Sequence, residues 1–199
     1  MNVQIIQDVA DNIRKRVLTH TISQNGGYMS QACSSAETFS SLYLKIMNIP
    51  ETDSPLKPGL FPGVPSAENM NYKTGSEYNG GHVEGFDRFY LSPAHYALVV
   101  YALLIETGRM AADGLDYFNR DGYSVEMIGA EHSPGMEVTA GSLGQCISRA
   151  GGSALARRLK NDHGRNFVYL SDGEFQIGQT WEAIQAATHY KLDNLIIFA

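Results

Sequence analysis

The last part of the chain most constrains its fold, because it has the pattern of a strand, a helix and a second strand. "NFVYL" (residues 166–170) is a short apolar run typical of a buried strand, and "NLIIFA" (194–199) is another. Residues 180–190, between the two runs, have a helical pattern. Strands connected in this way pair in parallel, with a right-handed crossover. The sequence therefore predicts an α/β fold with a parallel sheet flanked by helices.

Helical patterns also occur upstream of this unit. Apolar residues at spacings of three and four predict an amphipathic helix over residues 3–18. After a Gly-containing turn, a second helical stretch runs through Phe39, Leu42, Tyr43 and Ile46. Ser92 and Pro93 suit the start of a nearly all-apolar helix that Gly108 would end, so this helix is expected to be buried. Small residues after "AGSLGQ" predict a helix that approaches the sheet closely.

Residues 50–85 interrupt the regular pattern. This stretch is rich in Pro and Gly and has little periodicity. Such a loop is often functional, but the composition alone favours a plain surface insertion. We therefore interpret residues 1–199 as a single domain that carries an irregular insertion at about residues 50–85.

The composition excludes several classes of partner. The chain of 199 residues has a formal net charge of −6 and no run of Lys or Arg, so we expect no nucleic-acid partner. It has no apolar stretch long enough to span a bilayer and no signal-peptide pattern, so we expect no membrane partner. Cys33 and Cys146 fit neither a disulfide framework nor a metal-ligand spacing. A cytoplasmic location is therefore expected.

Asp172 is the first candidate site residue, because it follows the strand 166–170 at the end where parallel sheets bind ligands. Gly173 would let the backbone turn sharply and approach a ligand. A carboxylate here is suited to Mg²⁺ or Ca²⁺, with diphosphate oxygens as further ligands. Asp-Gly pairs also begin ordinary turns, and the turn alone favours that simpler interpretation.

Three other features are weaker candidates. The glycines of "AGSLGQ" (140–145) could present backbone groups to a polar ring or a phosphate, although helix packing explains them equally well. His95 falls in the first turn of the expected buried helix, where a core role is the commoner alternative. His132 lies in a loop, which makes a site role and a surface role equally plausible. The other histidines have no arrangement that separates a site from the surface.

Taken together, these motifs resemble the N-terminal, diphosphate-binding half of transketolases, most closely those split over two polypeptides. The resemblance rests on the order of "DRFYLSPAHYALVVYALL", "PGMEVTAGSLGQ", "SDGEFQIGQTWEA" and "ATHYKLDNLIIF". It covers most of the chain apart from residues 50–85 and parts of 109–130. It implies the thiamine-diphosphate-binding fold, a Mg²⁺ or Ca²⁺ ion, and transfer of a two-carbon ketol unit between sugar phosphates.

The resemblance also implies roles for individual residues. Asp172 and Gly173 fall on the family's metal and diphosphate signature, and Asp172 would be the metal ligand. Gly141 and Leu143 would contact the aminopyrimidine through their backbones. His95 would reach diphosphate and substrate, and His132 would line the substrate channel, so both are expected to be catalytic. The Asn of the signature is expected about thirty residues after Asp172, so the C-terminus is expected to be incomplete.

Three positions depart from the pattern that the resemblance implies. Asn25 stands where a substrate-binding His is expected, Ser171 replaces the first Gly of the signature, and Ile177 replaces a Glu that links two active sites. These changes affect substrate choice and efficiency more than cofactor binding.

The family's catalytic Glu belongs to a pyrimidine-binding domain that nothing in this sequence resembles. The resemblance therefore implies a pyrimidine-domain partner subunit and a hetero-oligomer built on a dimer. Two alternatives stay open. One is a related enzyme, either a carboligase similar to 1-deoxyxylulose-5-phosphate synthase or an acyl-transferring dehydrogenase component. The other is a catalytically silent homologue that binds only cofactor or partner.

Overall fold

A computed structural model describes residues 3–70 and 72–199 and contains a parallel sheet with the strand order β1-β2-β3. The strands are β1 (Arg88–Leu91), β2 (Asn166–Tyr169) and β3 (Leu195–Phe198). β2 is buried along its whole length and pairs in parallel with both neighbours, so that Asn166 lies opposite Arg88 and Leu195. The parallel pairing predicted from the last part of the chain is confirmed.

Helices cover both faces of this sheet. The α-helices in the described ranges are α1 (Val3–Gln24), α2 (Met29–Ser41), α3 (Ala97–Glu106), α4 (Cys146–Leu159) and α5 (Gly178–His189). Side chains alternate along the strands, so Phe89 and Phe167 face α1, α2 and α3, whereas Tyr90 and Val168 face α4 and α5. The predicted layering, with a sheet between helices, is confirmed.

The first helix is longer than its apolar pattern predicts. α1 continues beyond residue 18 to Gln24. Asn25 follows with a φ of 51°, a left-handed conformation that Asn tolerates and that commonly ends helices. His20, on the added turn, is buried. Its ring contacts the Phe118 ring in an edge arrangement, with 4.6 Å between the two ring centroids. His20 therefore belongs to the core, and its burial lowers the pKa of its imidazole.

The start of the buried helix differs from the prediction. A short strand, β1, precedes it, and residues Ala94–Tyr96 form a 3-10 turn before α3 begins at Ala97. Ser92 does not cap the helix, because its hydroxyl donates to the carboxylate of Glu174. The predicted burial is confirmed, and Gly108 ends the segment with a φ of 71°.

Residues 50–85 have little regular structure, and they are bonded into the body of the protein. Backbone amides of Leu56 and Phe61 donate to the carbonyls of Arg109 and Gly122, at 2.9 and 2.7 Å. Near its end the stretch contains a 3-10 helix, Gly75–Asn79, which has buried residues. This 3-10 helix packs against residues 131–136.

Two further sequence expectations concern helices and cysteines. No helix in the described ranges is both long and apolar enough to cross a membrane. Cys33 is an exposed free thiol and Cys146 a buried one.

A glycine pair tests the buried end of residues 50–85. A Cβ at Gly75 would overlap the carbonyl oxygen of Ser133, whereas one at Gly59 would meet nothing within 4 Å. We expect Gly75→Ala to lower the free energy of unfolding by about 2 kcal/mol, because overpacking displaces backbone that has no free space. The control, Gly59→Ala, should change it by less than about 0.5 kcal/mol. Urea unfolding measures both, and equal stabilities would contradict the packing described.

Candidate functional site

The connections that follow β1 and β2 meet at one edge of the sheet. Because the strands are parallel, their carboxyl ends lie side by side, and the Ser92 amide donates to the Tyr169 carbonyl at 3.0 Å. His95 lies three residues after Ser92, and Asp172 lies three residues after Tyr169. The edge therefore brings together the two chain segments that carry the main candidate residues.

The carboxylate of Glu174 holds this edge together. Its side chain is fully buried. One oxygen accepts from the Gly144 amide at 2.7 Å and from the Ser92 hydroxyl. The other oxygen accepts from the amide and hydroxyl of Ser171, at 2.7 and 3.2 Å. A single side chain thus connects the turn after β1, the turn after β2 and the Gly-rich turn before α4.

The buried charge of Glu174 is stabilised by these donors and by its position. Hydrogen bonds to an ionised acceptor are stronger than neutral ones, and they replace the water lost on burial. The carboxylate also lies near the amino end of α4, where the helix dipole favours negative charge. Burial, together with the charge of Glu174, raises the pKa of Cys146 at that helix end to about 12.

Asp172 and Gly173 form the open part of the turn after β2. Asp172 is exposed, and its carboxylate forms no hydrogen bond or ion pair with the described residues. Burial, with smaller effects from Tyr96 and from the charge of Asp172, raises the pKa of the Tyr169 phenol. A Cβ at Gly173 would meet nothing within 4 Å, so the turn borders free space.

The Gly-rich turn, residues 140–145, is anchored at one end and open at the other. Gly144 has a φ of 79°, and a Cβ there would lie 2.9 Å from Ile177 Cγ2. Ile177 therefore packs directly against the backbone of this turn. Gly141 borders free space, and Leu143 is 41% exposed. The backbone of both residues is accessible beside the Glu174 junction.

His95 lies between two tyrosine rings. Its ring centroid is 5.7 Å from that of Tyr28 and 5.1 Å from that of Tyr96, both in edge contacts. Tyr96 in turn contacts Tyr169 at 5.5 Å. The imidazole forms no hydrogen bond with the described residues, so both of its nitrogens are free to meet a ligand. Aromatic contacts thus connect His95 through Tyr96 to Tyr169 at the end of β2.

His132 lies on a neighbouring loop and is engaged by protein groups. Its Nε2 is 3.2 Å from a Glu126 carboxylate oxygen, and its ring centroid is 4.3 Å from that of Phe61. The Gly129 amide donates to the Ala94 carbonyl at 3.1 Å, which attaches this loop to the turn that carries His95. The roles predicted for His95, His132, Gly141, Leu143, Asp172 and Gly173 stay predictions.

Sequence reasoning missed Glu174, Tyr28 and Phe61. Glu174 had a local signal, because Ser171 and Glu174 have the spacing of a capping box, and the structure forms that box. Ser171 itself has an extended φ of −85°, so this position does not require glycine. Tyr28 and Phe61 had no such signal, since only the tertiary fold brings them to the histidines.

The exposed turn at Asp172 fits a divalent ion held with a diphosphate, though only in part. Its carboxylate is a suitable oxygen ligand, and the backbone at Gly173 borders free space. Within the described ranges, no three His, Cys, Asp or Glu side chains are placed to hold a metal together. Asp172 would therefore be one ligand among several that diphosphate oxygens and other groups supply.

The fold and this edge define the class of protein. A structural comparison matches a transketolase from Leishmania mexicana with a TM-score of 0.71 and 25% identity, covering 96% of this chain and 26% of that one. The chain thus has the α/β fold of thiamine-diphosphate-binding proteins. The family model "Transketolase, thiamine diphosphate binding domain" matches residues 58–199, and the chain belongs to this family. The resemblance stated from the sequence is confirmed.

Curated relatives agree with this assignment. The chain is 49% identical over 116 residues to a "putative uncharacterized transketolase family protein" of Sinorhizobium fredii, covering 57% of this chain and 41% of the relative. It is 31% identical over 196 residues to the "6-deoxy-6-sulfo-D-fructose transketolase subunit SqwG" of a Clostridium species, covering 97% of this chain. The chain spans 61% of that second relative.

The Glu174 junction can be tested by a change that keeps its size. Glu174→Gln replaces one acceptor oxygen by an amide NH₂, which must face a donor from Gly144 or Ser171. We expect the free energy of unfolding to fall by about 2 kcal/mol, because buried donors lose their partner. Urea unfolding gives the value. The control, Glu84→Gln on an exposed loop, should be neutral, and an equally neutral Glu174→Gln would contradict the junction.

Proposed function

We propose that this chain is the diphosphate-binding subunit of a thiamine-diphosphate-dependent transketolase. With a partner subunit, it would transfer a two-carbon ketol unit between sugar phosphates. The observation that carries the proposal is the Glu174 junction in a member of the transketolase family. It holds the Asp172 turn and the Gly141–Gly144 turn at the same sheet edge, each with backbone that borders free space.

Different residues at this edge of the sheet would bind different parts of the cofactor. Asp172 would hold Mg²⁺ or Ca²⁺ against the diphosphate, and Gly173 would let the diphosphate approach the backbone. Gly141 and Leu143 would offer backbone groups to the aminopyrimidine ring. When bound, thiamine diphosphate supplies the carbon nucleophile and electron sink for ketol transfer, and the protein supplies binding and orientation.

The histidines would act on the substrate side of the site. His95 has both ring nitrogens free of protein hydrogen bonds, so it can donate to a phosphate or sugar hydroxyl or move a proton between oxygens. His132 is paired with Glu126 at 3.2 Å, an arrangement that orients the ring. Its role would be to line the channel through which the sugar enters.

The partner would be a pyrimidine-domain subunit, in a hetero-oligomer built on a dimer. Support comes from the Clostridium relative, which is described as a transketolase subunit. We place this assembly in the cytoplasm, a location consistent with the free thiols of Cys33 and Cys146.

A catalytically silent homologue is the second candidate. Two departures support it: Ile177 packs against Gly144 where the family pattern has an ionisable Glu, and Asn25 replaces a substrate-binding His. Such a protein would bind cofactor and partner without turnover. Ketol transfer by the assembled complex separates the two candidates.

A carboxylate deletion tests the metal site. Asp172→Ala should abolish Mg²⁺-dependent binding of thiamine diphosphate, because the exposed carboxylate is the proposed bridge between ion and protein. Isothermal titration calorimetry on the assembled complex measures the affinity. Asp193→Ala, which removes an exposed Asp before β3 at the opposite edge, should bind as the unaltered chain does. Equal affinity of both variants would contradict the assignment.

A second substitution tests the role of His95. His95→Ala should lower kcat by about 100-fold, the usual contribution of a proton-transferring group, with a melting temperature close to that of the unaltered chain. His163→Ala, at an exposed site, is the control for both measurements. A large fall in melting temperature without a specific loss of kcat would assign His95 to the core instead.

A further inference from the structure

A polar cleft lies between α1 and the segment that follows α3. Its volume is about 550 Å³. The side chains that α1 contributes recur at spacings of three and four and so share one face of the helix: Asn12, Lys15, Arg16, Thr19, His20 and Ser23. The facing wall comes from Glu106, the last residue of α3, and from residues 112–116. The cleft is therefore lined mainly by polar and charged groups.

His20 connects this cleft to the core. It continues the buried stripe of Ile13 and Val17 on α1 and is only 8% exposed. Its Nε2 is buried and has no hydrogen-bond partner among the described residues. Burial lowers the pKa of His20 against a smaller opposing effect of the Asp116 charge, so the imidazole is neutral at pH 7. An unpartnered buried nitrogen beside a cleft is a position at which a ligand can supply the missing partner.

The charges of the cleft balance, but two of them have no protein partner. Arg16 and Glu106 are paired with each other, with 2.6 Å between Nη2 and Oε1. Lys15 and Asp116 are both exposed, and neither side chain forms a hydrogen bond or ion pair with a described residue. The cleft thus offers one free positive charge on α1 and one free negative charge on the facing wall. A ligand with a single charge would be attracted by one of these groups and repelled by the other.

We propose that this cleft binds a small zwitterion of the class of free α-amino acids with a short polar side chain. Its carboxylate would pair with Lys15 and its ammonium group with Asp116, and its side chain would form a hydrogen bond with His20. Two opposite charges on one small ligand match the two unpaired charges of the cleft. The inference does not rest on the proposed function, because Glu106 and His95 lie at opposite ends of α3, with about 14 Å of helix between them.

The first test compares three probes that differ only in their charged groups. L-serine carries both charges and a hydroxyl, ethanolamine lacks the carboxylate, and 3-hydroxypropanoate lacks the ammonium group. Titration of each into the ¹⁵N-labelled full chain, followed by NMR of the backbone amides, needs neither thiamine diphosphate nor turnover. We expect L-serine to give saturable shifts at residues 12–23 and 112–116. Each singly charged probe should bind at least about fivefold more weakly, the effect of one lost charge-assisted contact in an open cleft.

Three substitutions assign the contacts. Lys15→Gln and Asp116→Asn should each weaken L-serine binding by about fivefold. His20→Leu should weaken it as well, while the melting temperature stays the same or rises, because leucine removes the unpartnered nitrogen from the core. Lys160→Gln and Asp193→Asn are the matched controls, since both residues are exposed and lie outside the cleft. They should leave the affinity for L-serine unchanged.

Four results would overturn the proposal. One is the lack of any saturable L-serine shift at the two walls of the cleft. Equal binding of 3-hydroxypropanoate would make the cleft a simple anion site, and equal binding of ethanolamine would make it a simple cation site. Unchanged L-serine affinity in any of the three cleft variants would remove the contact on which the inference depends.

Discussion

The arrangement of the site depends on the buried carboxylate of Glu174. The strands of the sheet are short, each of 4 residues, and the connections that leave them have little regular structure of their own. Glu174 accepts hydrogen bonds from Ser92, Gly144 and Ser171, and so fixes three such connections relative to one another. An ionised group in the interior is stable only while its hydrogen-bond donors stay in place. Loosening any one of these connections removes a donor from Glu174 and so destabilises the whole junction.

The Glu174 junction also explains why the exposed polar groups at this edge of the sheet have no protein partner. Glu174 satisfies the inner polar groups, so the outer ones are not needed for the fold. Asp172 and the backbone at Gly141 and Gly173 are left facing free space. A site whose backbone is held rigidly, and whose exposed polar groups have no protein partner, is suited to bind a charged ligand without rearranging.

The three departures from the family pattern each have a local physical role. Ser171 is extended and donates to Glu174, which a glycine could do only through its amide. Ile177 packs against the Gly144 turn, and Asn25 ends α1 in a left-handed conformation. The first two therefore support the sheet edge that carries Asp172, whereas Asn25 lies in the connection between α1 and α2.

Sequence patterns predicted the elements whose signals are local. The β2–α5–β3 unit and the buried α3 have strong apolar patterns, and they form as expected. β1 was missed because "RFYL" is a run of only 4 residues directly before the helix start expected at Ser92 and Pro93. Ser92 has the residue type of a helix cap, but a buried carboxylate distant in sequence takes its hydroxyl. The burial of Gly75–Asn79 likewise depends on contacts with residues 131–136, which no local pattern contains.

Native-state hydrogen exchange at two amides tests the central claim most directly. The amides of Gly144 and Ser171 lie in connections, yet both donate to Glu174 at 2.7 Å. We expect these two amides to exchange as slowly as the amides of β2, since they open only when the fold opens. Exchange at the rate of an exposed loop, at either amide, would show that the carboxylate does not hold this edge together.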